Sequence, residues 1–145
     1  MTSKAQLIGA ARTAAAAHGL DPALVCAVCH HESSGWHEFS VRYEPRFYSR
    51  YIEKMIGLSP TEKAMRSTSF GLMQVMGQVA REAGFDGEFL TELLDAPIGL
   101  DYGCRKLANS MSRSGGDVRA ALLLYNGGGN PNYPDLVLQH LDEYK

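Results

Sequence analysis

The residues best equipped for chemistry crowd into one stretch, Cys26-Ala27-Val28-Cys29-His30-His31-Glu32-Ser33-Ser34-Gly35-Trp36. Cys26-x-x-Cys29-His30 is the spelling of a c-type haem attachment site. The same thiols and imidazoles, joined by distant Cys104, have the donor set that zinc takes in tetrahedral sites. Glu32 offers a third chemistry. A carboxylate at a helix C-terminus beside apolar surface is opposed by the helix dipole and by desolvation, so its proton is held to higher pH. A carboxylic acid near neutral pH is what the protonation of a glycosidic oxygen needs.

The cysteine readings have a plainer competitor. On a helix Cys26 and Cys29 stand one turn apart, interleaved with Val25 and Val28, the usual setting of buried, inert thiols. Zinc would lack a second closely spaced ligand pair, and haem would need thiols open to the porphyrin. His30 and His31 are placed as C-terminal helix residues favoured by the macrodipole. Cys26, Cys29 and Cys104 are an odd number, which leaves a free thiol and fits synthesis in a reducing compartment. No metal and no cofactor are expected.

Elements must position these groups. At 145 residues the chain is one domain, 1–145, with a single core. Its 45% hydrophobic content argues against disorder, and a net charge of −2 gives no basic surface for nucleic acid and leaves a neutral ligand plausible. The start, Lys4 with an Ala-rich run, faintly mimics an export signal. Arg12 interrupts it, and Leu7, Ile8, Ala11, Ala15 and Leu20 follow helical spacing, so the reading is an amphipathic helix. No run reaches a membrane span.

Asp21-Pro22 starts a second helix that ends at about Glu32, stopped by Ser33-Ser34-Gly35. Trp36 to Glu44 reads as irregular, and Pro45 opens a third helix ending at Gly57. Ser59-Pro60 starts a helical turn. Ser67-Thr68-Ser69 caps a helix from about Phe70, with Leu72, Val75, Val79 and Ala83 on one face and Gly84 closing it. Glu88 to Asp95 is a short helix, and Pro97 to Ser112 a longer one with Leu100, Cys104, Leu107 and Met111 in a stripe. Asp117 caps a helix whose run Ala120 to Leu124, apolar all round, is expected at the centre of the core. A last helix spans Pro134 to Tyr144. The fold class is mainly α, with a small irregular or β segment between Trp36 and Glu44.

Three runs taken together carry a resemblance: Glu32-Ser33-Ser34-Gly35-Trp36, then Ser69-Phe70-Gly71-Leu72-Met73-Gln74-Val75, then Leu124-Tyr125-Asn126-Gly127-Gly128. In that order they resemble the signatures of the soluble lytic transglycosylase (SLT) domain, a family similar to goose-type lysozyme, over about residues 20–140. The resemblance implies a lysozyme-like helical domain that cleaves the β-1,4 bond between N-acetylmuramic acid and N-acetylglucosamine. Carried over, Glu32 is general acid and then base, and Tyr125 hydrogen-bonds and orients it. Gln74 and Asn126 read N-acetyl groups, Met73 offers a sugar face an apolar surface, and Ser33 holds the carboxylate's side of the cleft. Ser69 belongs to the substrate side, and Gly71 and Gly127 let backbone approach the glycan. The sequence departs from the family at Gly77, where proline is frequent, and at Leu124 and Gly127, where alanine is.

Glu44 opens an alternative. A second carboxylate roughly 6.5–9.5 Å across the cleft would activate water and make the enzyme a hydrolysing muramidase; otherwise Glu44 pairs with Arg42 or Arg46. A non-catalytic peptidoglycan-binding module is the remaining alternative, though a pure binder needs no awkwardly placed acid. The expected partner is the peptidoglycan glycan strand, met by a monomer without nucleic acid or stable membrane insertion. The expected setting is a bacteriophage endolysin, made in the cytoplasm without a signal peptide and released to the wall by a holin.

Overall fold

A computed structural model describes residues 2–145. Helix α1 (Lys4–Ala17) is opened by a capping box in which Ser3 accepts from the Gln6 amide at 3.2 Å and Gln6 accepts from the Ser3 amide at 2.9 Å. It buries Leu7, Ala11 and Ala15, one stripe as its spacing requires. Helix α2 (Pro22–Glu32) begins where expected: Asp21 accepts from the Ala23 amide at 2.9 Å and Pro22 occupies the first turn. Every residue from Ala23 to Cys29 is buried. The helix apolar all round is therefore α2, and it is the central one.

That corrects the place expected for Ala120 to Leu124. Helix α7 (Val118–Tyr125), capped by Asp117 on the Ala120 amide at 3.0 Å, buries Ala121, Leu122 and Tyr125 but leaves Leu124 39% exposed. It packs chiefly on α6 (Ala96–Arg113), with a smaller contact to the helix that follows it. Helix α6 follows its expected stripe, burying Leu100, Cys104 and Leu107. The expected last helix is broken in two, α8 (Tyr133–Leu138) and a 3-10 turn (Leu141–Tyr144) packed on α2.

The expected helix from Phe70 to Gly84 is also corrected. Strands β1 (Val41–Tyr43), β2 (Thr68–Phe70) and β3 (Val75–Met76) form an antiparallel sheet, and only Gly77–Glu82 (α5) is helical. The β segment expected after Trp36 is β1, so the β part extends well past it. Pairing aligns Arg42 with Ser69 and Ser69 with Met76, a cross-strand row on one face. Helix α3 (Pro45–Phe47) continues as a wide turn, Tyr48–Ile52, short of the expected end at Gly57. Helix α4 (Pro60–Arg66) starts on its Ser59 cap, and Leu90–Leu94 is a 3-10 turn.

Two glycines permit close packing between elements. A Cβ at Gly103 of α6 would strike the Met73 side chain, its Cβ at 2.7 Å, so the β2–β3 turn rests directly on α6. A Cβ at Gly77 would run into the Met65 carbonyl. The departure from proline at Gly77 thus lets α5 approach α4 closely.

Candidate active site

Glu32 ends α2 where the buried helix meets open space. Ser33, wholly buried, closes the helix: its hydroxyl donates to the Cys29 carbonyl at 2.6 Å and accepts from the Trp36 amide at 2.8 Å. Ser34 (φ 53°) and Trp36 (φ 75°) adopt left-handed backbone in the reversal that follows, conformations that surrounding structure must hold. Trp36 is the anchor, its indole donating to the Tyr144 hydroxyl at 2.7 Å. Ser33 therefore shapes the turn behind the carboxyl and does not reach the cleft, a correction to its expected place.

The Glu32 carboxyl accepts one hydrogen bond, from the Tyr133 hydroxyl at 2.9 Å. Tyr125, expected in that role, points its hydroxyl to the Met73 carbonyl at 2.6 Å instead. The two phenol rings stack, centroids 6.5 Å apart, so Tyr125 supports Tyr133 and ties α7 to the β2–β3 turn. Burial raises the Glu32 pKa, opposed by the Tyr133 hydrogen bond and by the positive charges of Lys106 and Arg42. The net direction is upward, toward the protonated acid. Tyr133 shifts upward as well, through burial first and then the neighbouring Glu32 charge, so it stays a donor.

A cavity of about 470 Å³ lies in front of the carboxyl, walled by Glu32, Arg42, Ser69, Gln74, Lys106 and Asn126 among others. It is continuous with a larger hollow of about 800 Å³, whose wall shares Glu32, Arg42, Glu44, Gln74 and Asn126 and adds His31 and Tyr133. The sheet row Arg42–Ser69–Met76 forms one side, and Leu124, Tyr125, Asn126 and Gly127 at the end of α7 form the other. Sheet register thus positions the expected Ser69, and the C-terminus of α7 positions Asn126 and Gly127. Gln74 sits at φ 50° in the hairpin turn; its amide nitrogen donates to the Ser40 and Gly71 carbonyls at 3.1 and 3.0 Å, leaving the amide oxygen for a ligand.

Two further expected contacts are corrected. Met73 is 1% exposed and packs on Gly103, because the turn that carries it presses into α6. Gly71 (φ 77°) leaves room for the Leu93 carbonyl, 3.2 Å from where a Cβ would stand, not for a ligand. Glu44 does reach the cleft and is held by Arg42, Nε to Oε1 3.0 Å. Arg42, expected as a partner of Glu44, is that partner and lines the cleft as well, whereas Tyr133 and Lys106 are cleft residues that sequence reasoning passed over.

Burial raises all three thiols, Cys29 well above its usual value and Cys104 to about 12. Thiols this dry are poor ligands and closed to a porphyrin, because the thiolate is what binds metal. Among the described residues His30, His140 and Glu143 bring potential metal-donor atoms within 4.8 Å of one another. The two imidazoles stack at 3.8 Å and 15°, and His30 Nδ1 is engaged by the Tyr144 hydroxyl at 2.7 Å. Parallel stacked rings cannot both aim in-plane lone pairs at one ion.

Fold and cleft together define a lysozyme-like helical domain with an acid at the bottom of a groove. The chain matches the Transglycosylase SLT domain family over residues 9–135 and belongs to that family, one of lytic transglycosylase-type peptidoglycan degradation. A search of curated proteins and of solved structures gives no match to the chain. Among the described residues no helix is long and apolar enough to cross a membrane.

Proposed function

We propose that the chain cleaves the β-1,4 bond between N-acetylmuramic acid and N-acetylglucosamine as a lytic transglycosylase, with Glu32 as its acid and base. One observation carries the reading: the Glu32 carboxyl is desolvated at the end of α2, held by the Tyr133 hydroxyl, and open to the groove. In its protonated form Glu32 gives its proton to the glycosidic oxygen as the bond to the muramyl anomeric carbon breaks. The muramyl N-acetyl oxygen assists at that carbon, as in substrate-assisted glycosidases that need no second carboxylate. Glu32, now a carboxylate, takes the proton of the C6 hydroxyl as its oxygen closes on the same carbon. A 1,6-anhydro end forms and the acid is restored, with no water consumed.

Asn126 and the free oxygen of Gln74 suit the amide groups of the sugars, and Ser69 and Gly127 line the same wall. Met73 acts behind the cleft surface, and Tyr125 lines the wall with its ring while its hydroxyl is turned away to the Met73 carbonyl. The hydrolytic alternative needs Glu44 to activate water, and the Arg42 guanidinium on it weighs against that role.

Mass analysis of products from purified peptidoglycan tests the reaction type. Anhydro-muramyl ends, lighter by one water than reducing ends, are expected. Reducing ends alone would replace the transglycosylase reading with the hydrolase one.

A further inference from the structure

A second hollow adjoins the groove beside the carboxyl. Val79 and Lys106 belong to the wall in front of Glu32 and also to that of a separate hollow of about 450 Å³ between α5 and α6, bordered by Tyr102, Arg105 and Asn109. Lys106 is the post between them. Its ammonium stands 4.2 Å from the centroid of the Tyr125 ring, and it is half-buried. Among the described residues no carboxylate lies within ion-pair distance of it and no acceptor is hydrogen-bonded to it. The adjacent Arg105 differs, held by Asp101 at 3.0 Å and lying over the Tyr102 ring. Glu82, on the far rim, accepts from Gln78 at 2.9 Å.

The Glu32 charge acts on the ammonium only from beyond ion-pair distance and disappears when Glu32 holds its proton, which leaves a costly, partly desolvated cation that the ring face compensates only in part. An ammonium with three donors suits a carboxylate that arrives with the ligand. Of the two sugars in the proposed substrate only the muramyl residue brings one. Its lactyl ether ends in a free carboxylate when the glycan is bare, or in an amide to a stem peptide that has carboxylates of its own.

Resting on the glycan reading of the cleft, we propose that Lys106 is a specificity residue: its ammonium receives a carboxylate borne on the muramyl substituent. The hollow between α5 and α6 takes the remainder of that substituent. The groove therefore selects muramyl glycan over a plain N-acetylglucosamine polymer by charge as well as by shape.

Calorimetric binding tests it with three soluble probes: chitotetraose, a peptide-free GlcNAc–MurNAc tetrasaccharide, and the same tetrasaccharide with stem peptides. Measurements use the Glu32→Gln protein, with and without Lys106→Met, so that no probe is turned over. Lys106→Met is expected to weaken at least one muramyl probe by about tenfold or more and to leave chitotetraose unchanged, the loss due to one charge-assisted hydrogen bond. A loss confined to the bare tetrasaccharide identifies the lactyl carboxylate; a loss confined to the peptide-bearing one identifies the peptide. Unchanged affinity for both muramyl probes overturns the proposal, as does equal weakening of all three, which would mark a structural role. No binding of any probe overturns it together with the glycan reading. Wall lysis by the Glu32→Gln protein itself would instead sink the general-acid reading and leave the binding comparison valid.

Discussion

Helix α2 carries titratable groups in two settings one turn apart. In its middle, Cys26 and Cys29 are wholly buried, and burial pushes their thiols toward the neutral form. At its last turn, burial pushes Glu32 the same way. The thiols meet apolar neighbours and each other's charge, whereas Glu32 meets the Tyr133 hydroxyl, two cations and a cavity. Desolvation alone makes a group inert. It makes an acid only where a donor fixes the carboxyl and a substrate can reach it.

Loss of the carboxyl tests this contrast hardest. Glu32→Gln is expected to lower turnover of purified peptidoglycan roughly 10³-fold while glycan affinity persists. Its thermal midpoint at pH 7 should rise. The sign follows from the raised pKa: the folded state holds the proton more tightly than the unfolded one, so ionised Glu32 destabilises the fold above its folded pKa. The difference between the proteins should vanish as pH falls through that value.

Tyr133→Phe is expected to cost about tenfold or more in kcat, since a hydrogen bond to a charged group is lost. Activity requires protonated Glu32, so kcat/KM falls as pH rises through the carboxyl's pKa. Removing a donor that favours the carboxylate should shift this basic limb to higher pH, with Lys106 and Arg42 still in place. Tyr125→Phe should leave the limb where it is and lose about 1–3 kcal/mol of stability, because the Met73 carbonyl loses its partner. A basic limb that moves in Tyr125→Phe and not in Tyr133→Phe would exchange the roles of the two tyrosines.

Gly103→Ala is expected to destabilise by about 1–3 kcal/mol in chemical denaturation, from the overlap with Met73. Cys29→Ser has the smallest effect on chemistry: about 1–3 kcal/mol of stability is lost by placing a hydroxyl in a dry site, and activity per folded molecule is kept. Abolished turnover in a stable Cys29→Ser protein would break the contrast between the two settings of α2.

Much of the helical frame was legible because its starts are local. Asp21-Pro22, Ser59-Pro60 and Asp117 each read as a cap and each is one. The sheet was not legible, because strands of three, three and two residues are too short for an alternating pattern. Leu72, Val75 and Val79 meanwhile imitate helical spacing across the turn. The centrality of α2 over α7 is decided by which neighbours pack on each, which no segment states about itself. The Glu32–Ser69–Gln74–Asn126 groupings carry enough local motif to be found. Tyr133 is separated from Glu32 by 101 positions and lies outside every motif, so nothing in the sequence marks it as the carboxyl's partner. Its ring stacks on that of the motif residue Tyr125, which drew the attention instead.

Burial at the last turn of α2 raises the Glu32 pKa above that of a free glutamate. Titration of the Glu32 side-chain carbon by NMR measures this directly. The expected midpoint lies above the usual glutamate value of about 4.3 and moves higher still in Tyr133→Phe. A midpoint at or below that value, or one that falls when the tyrosine hydroxyl is removed, would contradict it.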